Sequence, residues 1–145
     1  MIRTALVLAL AAAAAVPATL QAQDRWENQV RGQMARVAAR AAERGYSMTP
    51  QYYYGRLRDG RSDVLNLNLS ASQEYVIVAA CDADCTDVDL ALYESDGRVV
   101  TSDLRGDDLP VIEVPSGHGG THPVKISMAN CLANPCRYEI AVFTR

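Results

Sequence analysis

Asp63-Val64-Leu65-Asn66-Leu67-Asn68-Leu69 and, four residues on, Glu74-Tyr75-Val76-Ile77-Val78-Ala79-Ala80-Cys81 decide the fold of this chain. In the first run, leucine alternates with asparagine. Leu65, Leu67 and Leu69 therefore share one face and Asn66 and Asn68 the other, as a half-buried strand requires. The second run is almost continuously apolar and reads as a central strand. Further alternating or β-branched segments predict strands at Asp89–Glu94, Arg98–Ser102, Val111–Val114, Val124–Met128 and Arg137–Phe143. Turn chemistry separates them: Asp59-Gly60, Ser95-Asp96-Gly97, Arg105-Gly106-Asp107, Pro115-Ser116-Gly117 and Asn134-Pro135. Short strands at such intervals build a sandwich or a barrel.

Upstream of Pro50 the period changes. Trp26, Val30, Met34, Val37 and Ala41 recur at steps of three and four, which puts them on one helical stripe. Asp24 and Glu27 sit in the expected first turn, Arg40 and Arg44 in the last, and Gly45 follows as a stop. The expected fold class is all-β: a jelly-roll-like antiparallel β-sandwich preceded by one N-terminal amphipathic helix.

The first residues have a different character. Arg3 precedes an unbroken apolar run from Ala5 to Val16, followed by Pro17 and small residues at Ala18 and Ala22. This is the layout of a secretory signal, with cleavage expected after Ala22 or, as the alternative, after Ala18. The run is shorter than the ~20 apolar residues that span a bilayer. The expected organisation is thus a signal over residues 1–22, a helix over 23–45 and a sandwich domain over 46–145. The product would be secreted or periplasmic, with no transmembrane segment in the mature chain.

The formal charge of the 145-residue chain is -3, and loss of residues 1–22 removes only Arg3. An acidic mature chain argues against nucleic acid as a partner. An apolar fraction of 49% is ample for a core and argues against disorder.

All four cysteines fall in the exported part, as two close couples, Cys81-x3-Cys85 and Cys131-x4-Cys136. In an oxidising compartment, disulfides within each couple are the expected pairing. The rival is a four-thiolate zinc site, whose couples tolerate these spacings. Strict alternation puts Cys131 out of phase with Val124, Ile126 and Met128, so local pairing requires a slip of register near Asn130.

Ten acidic residues lie from Asp82 to Glu113, against Arg98 and Arg105. The densest group, Asp82, Asp84, Asp87 and Asp89, is the candidate calcium site, since calcium takes six to eight oxygen ligands. The EF-hand pattern fails at Asp87 and Tyr93, and the alternative is a solvated acidic loop. His118 and His122 are the only histidines; their spacing is that of a metal-ligand pair, but such pairs sit on a helix beside a Glu, and the glycines here predict a plain connecting loop. No serine has the Gly-x-Ser-x-Gly setting, and no phosphate-cradling glycine loop exists. Oxidised cysteines would leave no thiol nucleophile. The chain reads as non-enzymatic and without a required cofactor.

Three segments carry a family resemblance. Gly55-Arg56-Leu57 with Ser62-Asp63-Val64-Leu65-Asn66-Leu67 is similar to a first strand. Asp87-Val88-Asp89-Leu90-Ala91-Leu92-Tyr93 leading to Asp96-Gly97 resembles an Asp-x-Asp-Leu segment before a turn. Gly120-Thr121 through Val124-Lys125-Ile126 resembles a late Gly-Thr-Tyr strand, with His122 where Tyr is usual. Together they resemble the bacterial pre-peptidase C-terminal domain, here without a peptidase. The resemblance implies a non-catalytic accessory sandwich that recognises protein or polysaccharide, as collagenase relatives bind matrix proteins, some with calcium. It gives Asp87 and Asp89 at most a structural or calcium-linked role. The alternative function is a structural or interaction subunit docking through Trp26, Val30, Met34 and Val37.

Overall fold

The computed structural model describes the backbone of residues 18–145 and the side chains of residues 25–145. The export signal expected over residues 1–22 lies outside the described residues, apart from the helical backbone at 18–22. One helix, α1 (Ala18–Glu43), precedes eight strands: β1 (Ser47–Leu57), β2 (Ser62–Leu69), β3 (Tyr75–Cys81), β4 (Cys85–Tyr93), β5 (Val99–Asp103), β6 (Val111–Val114), β7 (Gly120–Cys131) and β8 (Cys136–Thr144).

Alternation explains the layering. The strands form two antiparallel four-stranded sheets, sheet A in the order β1-β8-β3-β6 and sheet B in the order β2-β7-β4-β5. The pairings nest: β4 with β5, β3 with β6, β2 with β7 and β1 with β8. The chain is therefore a long antiparallel hairpin, turned at Ser95-Asp96-Gly97 and rolled over, which is the jelly-roll arrangement. The inward leucines of β2 meet Val88, Leu90 and Leu92 of β4 and Val124, Ile126 and Met128 of β7. Ile77, Ile140 and Val142 close the core from sheet A. Each fully buried side chain of this size contributes ~1.5–3 kcal/mol.

The helix makes a third layer. Val30 and Met34 are buried against Val78, Ala80, Ala141 and Phe143, with Val37, Ala38 and Ala41 half-buried beside them. The stripe offered above for docking is spent, at Val30 and Met34, on the chain's own sheet. α1 begins at Ala18 rather than at residue 23 or 24, so no acid stands in its first turn, and Asp24 and Glu27 lie further along. Its stop is as expected. Gly45 takes φ 81°, and the Tyr46 amide donates to the Ala41 carbonyl, closing a Schellman motif that the positive φ of glycine permits.

β1 is a strand that the sequence reading does not assign. Pro50 and three successive tyrosines disguise its alternation, which burial reveals from Thr49 to Leu57. Pro50 is tolerated because β1 is an edge strand with a register shift between Met48 and Tyr52. Gly55 pairs with Tyr138, whose ring occupies the space a side chain would need: a Cβ there would lie 2.5 Å from ring atoms. The open sides of the sandwich are stitched by side chains. On one, the Gln51 amide accepts from the Asn68 N–H at 2.7 Å and donates to the Asn68 carbonyl at 2.9 Å, acting as a peptide group toward the β2 edge. On the other, Asp103 accepts the Val111 amide at 3.0 Å.

The cysteines pair as Cys81–Cys85 and Cys131–Cys136, each with Cα atoms 5.9 Å apart, and none is free. The zinc alternative is thereby overturned, because oxidised sulfurs are not thiolate ligands. The anticipated slip is present: pairing to β4 passes from Met128 to Asn130, skipping Ala129. That bulge returns Cys131 to the core, where all four half-cystines cluster.

Candidate functional site

The four candidate calcium ligands are divided by the fold. Asp82 follows β3 and is fully buried. Its Oδ2 accepts the Arg137 amide at 2.9 Å and lies 3.7 Å from that residue's guanidinium, while Oδ1 has no hydrogen-bond partner among the described residues. Burial raises its pKa, and the Asp84 charge adds to the rise while the Arg137 amide and guanidinium oppose it. Asp87 and Asp89 lie on β4 instead. Burial raises the pKa of Asp89, with repulsion from Asp87 and Asp103 adding and Lys125 opposing. Among the described residues no group of three or more histidine, cysteine or acidic side chains is placed to hold a metal ion. Asp103 is committed elsewhere: it binds the Arg105 guanidinium at 2.7 and 2.8 Å, which holds its carboxyl far below the usual range.

The histidines do not lie on one loop. His118 precedes β7, but His122 is within it and buried, because the strand starts at Gly120, earlier than its glycines suggest. Glu94, remote in sequence, joins them. Its Oε1 is 3.1 Å from His118 Nδ1 and its Oε2 is 3.6 Å from His122 Nδ1. His122 Nδ1 also lies 3.1 Å from the Tyr93 carbonyl. A carbonyl only accepts, so Nδ1 donates to it, and Nε2 is buried with no hydrogen-bond partner among the described residues.

A second polar cluster, missed by sequence reasoning, lies beneath the N-terminal half of α1. Glu139 is wholly buried, and neither carboxylate oxygen has a hydrogen-bond partner among the described residues. The Arg31 Nε is 3.9 Å away. Burial raises the Glu139 pKa; the nearby Tyr52 hydroxyl and Arg31 oppose the shift, and Glu27 adds to it. Gln33 binds the Cys81 carbonyl at 3.0 Å, which anchors the helix above this cluster. The signal was present in β8: Arg137 and Glu139 alternate with core residues, but so do Ala141 and Phe143, and a face carrying the latter pair is a covered one.

The two outer sheet faces differ. α1 packs against β8, β1 and β3 of sheet A. No described element crosses sheet B, whose outward positions include Val64, Asn66 and Asn68 of β2, Thr121 and Lys125 of β7, and Tyr93 of β4. Thr121 donates to the Asn68 side chain at 2.9 Å, and such cross-strand bonding holds polar groups at fixed spacing. This face is broad and polar, and its hydrogen-bonding groups are open to solvent.

Fold and site together define a class: a disulfide-bonded jelly-roll sandwich with one sheet capped and one bare. No family model matches the chain, and no curated protein matches it. Two formed disulfides belong to a protein outside the reducing cytosol. Among the described residues no helix is long and apolar enough to cross a membrane.

Proposed function

We propose that this protein is an exported, non-catalytic binding or accessory module of the pre-peptidase C-terminal type, recognising protein or polysaccharide through the outer face of sheet B. The observation that carries the reading is the bare, polar face of that sheet, set against the helix-capped face of sheet A. Binding faces of this kind work through preorganisation. The disulfides and the double-sided packing of β3 and β8 fix the scaffold, so little order is lost when a ligand docks. Tyr93 supplies apolar area on that face, and Asn66, Asn68 and Thr121 supply donors and acceptors.

The two histidines and the acidic residues support a structural part in this reading. His122 and Glu94 fasten the end of β4 to β7, and Asp82 fastens the end of β3 to β8 through Arg137. Export follows from the Arg3, Ala5–Val16 and Ala18 or Ala22 pattern, and the oxidised cysteines are consistent with it.

The test is retention of the oxidised protein on immobilised gelatin and on insoluble peptidoglycan, cellulose and chitin, each with calcium and with chelator. The expected result is retention on one class of matrix, weakened at least tenfold in a Tyr93→Ala, Asn68→Ala double variant that melts like the parent. Failure to bind any of them, or binding indifferent to both substitutions, overturns the assignment to this face.

A further inference from the structure

A helix ~10 Å across covers about two strands spaced ~4.8 Å apart, so α1 cannot roof all four strands of sheet A. Part of the uncovered remainder is on the β6 side, where a cleft of about 220 Å³ opens beside the C-terminal half of α1. Val37 and Ala41 of the helix form one wall, Val78 and Phe143 the floor, and Leu109 and Val111 the far side. The interior is apolar, but the helix edge above it is cationic. Arg36 and Arg40 stand one turn apart on the helix, and Arg44 follows just beyond its end. Arg40 and Arg44 line the cleft itself, and Arg36 lines its continuation toward Gln33. Among the described residues none of the three is ion-paired, whereas Arg31, Arg98, Arg105, Arg137 and Arg145 all are. Glu113 and Asp108 border the opposite lip and leave the rim net positive.

We propose that this cleft binds a free medium-chain carboxylate, its chain lying between Val37 and Ala41 on one wall and Leu109 and Val111 on the other, and its head group paired with Arg40 and Arg44. Size and charge select the ligand. At ~30 Å³ for each water-sized group, the volume suits about seven or eight methylenes. It falls below the ~300–1,000 Å³ of sites for larger molecules. Guanidinium groups pair with a carboxylate through two parallel N–H···O bonds. The site uses neither the face nor the residues of the sheet B reading, so either proposal can fail alone.

Calorimetric titration with octanoate tests it, with octylamine and octanol as controls of equal chain length. The expected result is one site per chain with a dissociation constant on the order of 10⁻⁴ M. Octylamine should bind at least tenfold more weakly and octanol should fall between. Arg40→Glu with Arg44→Glu should cost octanoate at least tenfold, and Ala41→Trp, which fills the cleft from the helix side, should abolish binding. Should Ala41→Trp disturb folding, Val111→Trp on the exposed edge strand blocks the same space. No octanoate binding below 5 mM, equal affinity for octylamine, or undiminished binding in a folded blocked variant overturns the proposal. Adsorption to phosphatidylglycerol vesicles without any binding of octanoate also overturns it, and assigns these arginines to a lipid surface.

Discussion

Sheets A and B are built from strands of similar length, yet their outward faces have opposite fates. In β2 of sheet B, burial alternates, with Leu67 and Leu69 inside and Asn66 and Asn68 outside. In β8 of sheet A, eight consecutive residues are buried, because the core takes one face and α1 the other. Double coverage gives sheet A its rigidity and also forces Glu139 out of water. Single coverage leaves the outward side chains of sheet B facing solvent. The number of covered faces, more than strand propensity, sets what each position tolerates.

The comparison can be broken most severely at Phe143, which lies under α1. Phe143→Ala should cost ~3–5 kcal/mol, since it leaves a cavity between helix and sheet. Chemical denaturation measures it, and a loss under ~1 kcal/mol would mean that the helix does not pack there. Gly55→Ala comes next, at ~1–3 kcal/mol, because the new methyl group meets the Tyr138 ring. Pairing it with Tyr138→Ala should recover part of the loss, and strict additivity would deny the contact.

Glu139→Gln should act in the opposite direction, raising stability at pH 8 by ~1 kcal/mol. Burial lifts the native pKa of Glu139 above its unfolded value of ~4.3, so between those values the native state holds more protons than the unfolded state. Stability from this group is complete below the unfolded pKa and declines as pH rises through the native one. The glutamine variant should lose that decline, and an unchanged pH profile would show that Glu139 titrates normally. The smallest effect belongs to the open sheet. Val64→Ala, at a position 56% exposed, should change stability by no more than ~0.5 kcal/mol.

Much of this architecture is legible in the sequence where one rule governs alone. Leucine–asparagine alternation locates β2, and the apolar run Glu74–Cys81 locates β3. The phase error at Cys131 foretells the bulge at Ala129, because a local disulfide can form only if the strand slips. β1 is illegible since its pattern depends on Tyr138 of β8, eighty-three residues from Gly55, filling the place of a missing side chain. The same limit hides the polar clusters. Glu94 reaches His118 and His122 only after β4 and β7 pair, and Glu139 is distinguished from a surface acid only by the helix laid over it. Asp82 lies just beyond β3 of sheet A and Asp87 lies within β4 of sheet B, so density of charge along the chain misrepresents proximity in space.

The most direct measurement of the two unlike faces is methyl NMR with an inert, soluble paramagnetic agent. The Ala80 and Ala141 methyl signals should remain sharp beneath α1, while those of Val64 and Thr121 on sheet B broaden strongly. Equal broadening of Ala141 and Val64 would contradict the account, since it would mean that both sheets are bare and that the helix is not a layer of the fold.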